Sequence, residues 1–117
     1  MTVKQLAEAF SSHRFDEVYD HLAEDARWIL PGHDPVVGKA AIVKACRDSA
    51  AEFAELEATE FTRFASVAYD ATPAVDVVAR YVGKDGTVST VSSADVYEAD
   101  DNGRIATITS YAVELES

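Results

Sequence analysis

The sequence predicts a single α+β domain with a strongly curved, mostly antiparallel sheet that is covered by three helices. The first half of the 117 residues carries apolar side chains mostly at helical spacing, whereas from Glu57 onward their period changes to two. Helices followed by a run of strands are typical of α+β folds with antiparallel sheets. Long strands twist and curl, so we expect a cone-shaped α+β barrel around an internal cavity.

The N-terminal part of the chain predicts two helices. Thr2 and Gln5 match the capping-box pattern, in which a threonine hydroxyl and a glutamine three residues later satisfy free backbone N–H groups. The first helix therefore begins here and extends to about Ser11. A second helix is predicted over about 15–23, because its apolar residues recur at three- and four-residue spacing.

A short strand and a longer helix follow. The strand covers 26–30 and ends at a Pro-Gly pair, and a loop with a second proline occupies 33–37. Gly38 then opens a helix over about 39–54, whose apolar face includes Cys46. A single cysteine cannot form an intrachain disulfide, and its place on the apolar face predicts a buried, unreactive thiol.

Four consecutive strands complete the chain. Residues 57–69 and 74–82 alternate with a period of two, and a turn with an Asp-Gly step follows the second of these strands. The last two strands lie within 88–115 on either side of Asp-Asp-Asn-Gly, which is a strong hairpin signal. We therefore expect the four strands to pair in antiparallel fashion.

Composition and charge exclude several classes of partner. The formal net charge of −11 repels phosphate backbones and anionic lipids, so neither nucleic acid nor a membrane is an expected partner. No apolar run approaches the roughly 20 residues that span a bilayer. The N-terminal residues lack the basic and apolar regions of a signal peptide, so we expect a cytoplasmic protein.

Four segments carry a resemblance to a known family: FDEVYDHLAEDARW at 15–28, LPG at 30–32, GKAAI at 38–42 and DVYEADDNGRI at 95–105. Their order and spacing resemble the nuclear transport factor 2-like superfamily, in its SnoaL-like and ketosteroid-isomerase-like branch. The resemblance covers essentially the whole chain and implies one domain over 1–117. This superfold hosts isomerases, cyclases, hydrolases, dehydratases and non-catalytic binders, so the resemblance leaves the activity open.

The resemblance also implies a partial catalytic set. In ketosteroid isomerases a proton-shuttling carboxylate precedes the proline that ends the first strand, and this chain has Leu30 there. The oxyanion-hole tyrosine of the first helix corresponds to a position near Leu6. The oxyanion-hole aspartic acid matches Asp95, eight residues before Gly103. Steroid isomerisation by that mechanism is therefore not expected, and neither is the epoxide-hydrolase mechanism, which needs an Asp-Arg-Asp set.

Asp95 is the candidate catalytic residue. It lies in the same strand phase as Val91, Ser93 and Tyr97, which the resemblance directs into the cavity. Desolvation in an apolar cavity raises a carboxyl pKa, so a neutral Asp95 can donate a hydrogen bond to a carbonyl or act as a general acid. Alternatively, Asp95 is a structural group that hydrogen-bonds Ser93, a tyrosine or water.

The candidate ligand-binding residues surround Asp95. Trp28 and Leu30 share one face of the first strand, and the tryptophan ring offers an N–H donor. His33, in the following loop, can border the cavity mouth, although solvent exposure is the simpler interpretation. The other candidates fill the cone or face it from the last strand: Tyr97, Ile108 and Ser110. Ala112 is expected on the same face of that strand.

The sequence predicts neither a metal nor a cofactor. His13 and His21 are expected at the solvent or at the boundary of the core, and the histidines lack metal-ligand spacing. The glycines of the C-terminal half lie in turns, and no phosphate-binding loop is visible.

A second functional surface is expected on the outer face of the sheet. Asp76 and Arg80 lie in a strand phase that points away from the cavity, and Tyr111 and Val113 do so on the last strand. A face with valines and a tyrosine is too apolar for open water, which indicates a partner. Members of the resembled family commonly dimerise through this face, so we expect a homodimer.

Two functions are compatible with these observations. The first is an enzyme that isomerises, cyclises or dehydrates a small, mainly apolar carbonyl compound through Asp95 without a cofactor. The second is a non-catalytic ligand-binding or dimerisation module. The retained Asp95 favours the first function, and the missing base at Leu30 favours the second.

Overall fold

The computed structural model, which describes residues 1–70 and 72–115, shows two α-helices packed on a six-stranded mixed sheet. The helices are α1 (Val3–Ser11) and α2 (Lys39–Ala54). The strands are β1 (Leu22–Ile29), β2 (Val36–Val37), β3 (Ala58–Tyr69), β4 (Thr72–Val82), β5 (Val88–Ala99) and β6 (Ile105–Leu115). Their order is β2-β1-β6-β5-β4-β3, and all neighbours are antiparallel except β1 and β6. The predicted α+β class is confirmed.

Both α-helices have the predicted bounds. The capping box of α1 is complete, since Gln5 N donates to Thr2 Oγ1 at 3.1 Å and Thr2 N donates to Gln5 Oε1 at 2.8 Å. The helix α2 buries Ile42 and Cys46, and burial raises the pKa of the Cys46 thiol to about 12. The thiol is therefore protonated at neutral pH and acts as a small apolar side chain.

The prediction of a helix over 15–23 is wrong. The chain makes two 3₁₀ turns, Phe15–Glu17 and Tyr19–His21, and then enters β1 at Leu22. A spacing of three residues between apolar side chains fits a 3₁₀ turn as well as an α-helix. Leu22 pairs with Ile105 in parallel fashion and therefore belongs to the sheet. In the described part of the chain, two α-helices cover the sheet instead of the three that were predicted.

The sheet is open, which corrects the predicted cone-shaped barrel. The strands β2 and β3 are its edges, and no ladder joins them within the described part of the chain. The loop predicted over 33–37 contains β2, whose Val36 and Val37 pair with Trp28 and Arg27. Two residues are too few for an alternating pattern to become visible in the sequence.

The sheet has a buried inner face and a solvent-facing outer face. The inner side chains of β4, including Val75, pack under the helices. On the outer face Arg63 Nε pairs with Asp76 at 2.8 Å, and Arg80 pairs with Glu60 at 3.3 Å. Within the described residues, none of the helices has the length and apolar character needed to cross a membrane.

Candidate functional site

A cavity of about 220 Å³ lies between the inner face of the sheet and the two α-helices. This volume is below the usual range for drug-sized ligands, so only a small molecule fits. The wall is mostly apolar and aromatic, and its residues are Phe10, Ser11, His13, Phe15, Trp28, Leu30, Ser49, Phe53, Val77, Ala79, Tyr81, Val91, Ser93, Asp95, Ser110 and Ala112. Among the described residues, Asp95 is the only carboxylate in this wall.

Asp95 lies on the inner face of β5, opposite Ser110 of β6, and only 8% of its surface is exposed. One hydrogen-bond chain ends on its carboxylate: Tyr97 Oη lies 2.5 Å from Ser11 Oγ, and Ser11 Oγ donates to Asp95 Oδ2 at 2.8 Å. Beside this chain, Trp28 Nε1 donates to Ser110 Oγ at 2.9 Å, and the Ser110 hydroxyl acts on Asp95 by lowering the pKa of its carboxyl.

The donor and acceptor roles follow because each hydroxyl has a single hydrogen. Since Ser11 donates to Asp95, the phenol of Tyr97 must donate to Ser11. Burial raises the pKa of Tyr97 well above its ordinary value, which keeps this phenol protonated. Ser110 accepts from the indole N–H of Trp28, so its own hydrogen is available for the carboxylate. The hydroxyls of Ser11 and Tyr97 thus support a carboxylate at Asp95.

Burial raises the pKa of Asp95 above its ordinary value, and the hydroxyls of Ser110 and Ser11 oppose this rise. Desolvation has the larger effect, so the carboxylate is a stronger base than an exposed aspartate. A base of this kind in the wall of a mostly apolar cavity can take a proton from a bound molecule and return it.

The structure brings three of the six predicted ligand-binding residues to this cavity: Trp28, Leu30 and Ser110. Ala112, expected on the same face of the last strand, lines it as well. Tyr97 and Ile108 are buried in the core behind the wall. His33 is exposed in the turn after β1 and is not part of the wall. Within residues 1–70 and 72–115, no three His, Cys, Asp or Glu side chains converge as a metal site requires.

His13 lies in the cavity wall, a role that the sequence did not indicate. It follows α1 with a φ of 68°, the left-handed conformation that glycine usually supplies at a helix end. Arg14 N donates to Ala9 O at 2.8 Å and His13 N donates to Phe10 O at 3.0 Å, which is the Schellman pair. The residue that ends a helix in the left-handed conformation is usually glycine. Because histidine occupies this position, neither composition nor periodicity indicated its role.

The imidazole of His13 is held among aromatic rings. It stacks on Phe53 with ring centroids 4.3 Å apart and an interplanar angle of 17°. Its Nε2 lies 3.4 Å from Tyr81 Oη. Burial lowers the pKa of His13 to about 4, so the ring is neutral at pH 7.

This lowered pKa predicts a loss of stability in acid. The unfolded chain binds the proton of His13 with a pKa near 6.5, so stability decreases as the pH falls from 6.5 toward about 4. Asparagine tolerates the left-handed conformation and does not titrate. We therefore expect the free energy of unfolding of His13→Asn to fall by about 2 kcal/mol less than that of the wild type over this range, after allowance for solvent screening. Urea unfolding at neutral and mildly acidic pH measures the difference, and equal losses in both proteins would contradict the prediction.

The open mixed sheet with helices and a cavity on one face is the nuclear transport factor 2-like fold. An NTF2-like protein of unknown function from Cytophaga hutchinsonii is 28% identical, with a TM-score of 0.80 over 93% of this chain and 94% of that chain. Residues 3–108 match the family model of the SnoaL-like domain. The chain therefore belongs to the SnoaL-like family, and the predicted membership is confirmed. No curated protein matches it significantly.

Enzymes occur among the more distant structural neighbours. SalBIII, an epoxide hydrolase/cyclase-like enzyme of pyran ring formation in the polyether salinomycin, is 20% identical with a TM-score of 0.69, over 95% of this chain and 90% of that chain. A proposed SnoaL-like polyketide cyclase from Shewanella putrefaciens is 9% identical with a TM-score of 0.68, over 92% and 75% of the two chains. At these identities the similarity shows the fold alone.

Proposed function

We propose that this protein is a cofactor-independent acid/base enzyme that acts on a small, mainly apolar carbonyl compound. Asp95 takes a proton from the carbon next to the carbonyl and returns it to another atom of the same molecule. Trp28 and Leu30 form the apolar wall, and Tyr97 and Ser110 orient the carboxylate. His33 has no part in this proposal because it is exposed.

One observation carries the proposal: a buried carboxylate in the wall of a mostly apolar cavity accepts a hydrogen bond from Ser11, which is itself bonded to Tyr97. Burying a carboxylate costs free energy unless other groups compensate for the lost water. The Ser11 and Ser110 hydroxyls offset part of this cost, and the raised pKa of Asp95 shows that a penalty persists. Such a penalty is common at functional sites, where a perturbed pKa is needed for proton transfer.

The proposed step is balanced without an oxidant or a reductant. The C–H bond next to the carbonyl breaks, its hydrogen moves to Asp95 as a proton, and the electron pair enters the enolate. Where the enolate extends over a neighbouring C=C bond, Asp95 delivers the proton to the far carbon of that bond, which isomerises the molecule. Where the β-carbon carries a hydroxyl, Asp95 delivers the proton to it, and the C–O bond breaks as water leaves. Where the enolate carbon attacks a second carbonyl within the molecule, a new C–C bond closes a ring and Asp95 delivers the proton to the alkoxide oxygen that forms.

Hydrogen–deuterium exchange tests the proposal without knowledge of the natural substrate. The protein is incubated in D₂O with acetophenone, a cyclohexenone and a 1,3-diketone, and loss of the α-proton signals is followed by NMR. We expect exchange above the buffer rate for at least one compound. If wild-type protein accelerates no exchange relative to Asp95→Asn, acid/base catalysis on ketones is excluded and the alternative, a non-catalytic ligand-binding module, is favoured. That alternative rests on Leu30, since the wall lacks a second carboxylate among the described residues.

We also propose that the outer sheet face joins two copies of this chain. Asp76 and Arg80 are in surface ion pairs there, away from the cavity. Apolar side chains stand exposed beside them: Val67 at 70%, Tyr111 at 55%, Val113 at 59% and Leu115 at 42%. Several exposed apolar side chains on one face of the sheet support burial against a partner.

A charge at Val113 is expected to separate the two copies. Val113→Glu places a carboxylate in the centre of the proposed interface, where it would lose its water without a compensating partner. Val37→Glu is the matched control, because Val37 is also 59% exposed but lies on the edge strand β2. Analytical ultracentrifugation should show a dimer for wild type and Val37→Glu and a monomer for Val113→Glu. A monomeric wild-type protein would exclude the proposal.

A further inference from the structure

We infer that Tyr81, supported by its neighbour His13, donates a hydrogen bond to the carbonyl oxygen of the ligand whose proton Asp95 removes. This inference rests on the proposed function and adds to it the group that binds the oxygen. Both side chains line the same cavity as Asp95, and they come from other elements, β4 and the end of α1. The wall therefore holds two separate sets of polar groups.

The contacts of the pair indicate which group donates. His13 Nε2 and Tyr81 Oη are 3.4 Å apart, a distance that leaves this bond weak and easily rearranged. If the imidazole carries its hydrogen on Nε2 and donates to Tyr81 Oη, the phenol hydrogen is free for a ligand. Burial and the negative charge of Asp95 raise the pKa of Tyr81, so its phenol stays protonated.

Packing holds the pair in place. Phe53 of α2 stacks on His13 at 4.3 Å and on Tyr81 at 5.3 Å, with interplanar angles of 17° and 12°. The left-handed φ of 68° at His13 belongs to the Schellman end of α1 and fixes where the imidazole leaves the backbone. Phe53 therefore stacks on both rings of the pair, as a preorganised hydrogen-bond donor requires.

The division of roles completes the proposed reaction. Asp95 removes the proton from carbon, and the charge that develops on the oxygen is met by the O–H of Tyr81. His13 does not give up its proton; its N–H polarises the phenol and makes it a stronger donor. His13 is therefore a positioning residue, and Tyr81 is the residue that touches the ligand. The resulting preference is for ketones and other carbonyl compounds over hydrocarbons of the same shape.

A carbonyl carbon reports this hydrogen bond directly. Acetophenone labelled with ¹³C at the carbonyl is bound to wild-type protein, to Tyr81→Phe and to the matched control Tyr69→Phe, whose tyrosine is 82% exposed at the end of β3. We expect a downfield shift of the bound carbonyl carbon in wild type and in Tyr69→Phe, and its loss in Tyr81→Phe. The affinity should fall by about threefold to tenfold in Tyr81→Phe alone. His13→Asn should reduce the downfield shift without removing it, which gives a second measurement if Tyr81→Phe does not fold.

The outcomes separate this inference from the proposed function. An unchanged carbonyl shift in Tyr81→Phe, together with α-proton exchange that depends on Asp95, overturns the role of Tyr81 and leaves the acid/base function standing. A ketone that neither binds to wild-type protein nor exchanges its protons overturns both.

Discussion

Replacing Asp95 by asparagine is expected to remove α-proton exchange from the protein. Asparagine retains the shape of the side chain and can accept the hydrogen bond from Ser11, but it cannot take up the proton. The loss of a positioned general base reduces rates on the order of 10²- to 10⁴-fold. The matched control is Asp76→Asn, on the outer face, which should leave exchange unchanged. Equal exchange in wild type and Asp95→Asn would show that another group acts as the base.

The same substitution is expected to stabilise the protein at neutral pH. The folded protein binds the proton of Asp95 more tightly than the unfolded chain does, because the pKa is raised above 3.8. Stability therefore decreases as the pH rises from 3.8 through the raised pKa, and the penalty is complete above it. Asparagine has no such penalty. At pH 7 the free energy of unfolding of Asp95→Asn should therefore exceed that of the wild type by about 1.4 kcal/mol per unit of pKa shift, and near pH 3.8 the difference should be small. Urea unfolding at both pH values measures this, and an equal effect at both would contradict it.

Truncating Phe10 to alanine is expected to have the largest effect on stability. Phe10 is 3% exposed, and its ring makes edge-on contacts with Phe15 at 5.1 Å, Trp28 at 5.2 Å and Tyr97 at 6.1 Å. Its removal leaves a void beside the existing cavity, which the surrounding rings cannot fill. We expect a loss of about 3–5 kcal/mol in the free energy of unfolding.

Phe64→Ala is the matched control for this prediction, because Phe64 lies on the edge strand β3 and is 39% exposed. It should cost about 1 kcal/mol. Guanidinium unfolding distinguishes the two variants. Similar losses would mean that the ring cluster around Phe10 adds little beyond ordinary burial of one side chain.

In Phe10→Ala the enlarged cavity should also bind acetophenone more weakly, since one apolar wall is missing.

The sequence predicted those parts of the fold that local chemistry specifies. The capping box at Thr2 determines where α1 begins, and apolar spacing determines α2. Alternation and the turn before Ile105 predict the final hairpin, in which Asp95 pairs with Ser110. The same local spacing misled at 15–23, because three-residue spacing is shared by α-helices and 3₁₀ turns.

The candidate site was only partly predictable. Asp95 and Trp28 could be assigned to the cavity because strand alternation and the family resemblance gave their face. The contact between Ser11 and Asp95 joins residues 84 positions apart, and that between His13 and Tyr81 joins residues 68 positions apart. Neither pair has a sequence signal.

The amino-acid sequence by itself determined the α+β class, the two α-helices, the four long strands and the identity of the carboxylate at position 95. Each of these follows from interactions within one segment or from the periodicity of one face. Only the tertiary structure decided that the sheet is open, that Tyr97 and Ser11 form a hydrogen-bond chain to Asp95, and that His13 lies beside Tyr81. These features depend on how distant segments pack, and packing is set by the shape and burial of the whole core rather than by local pattern.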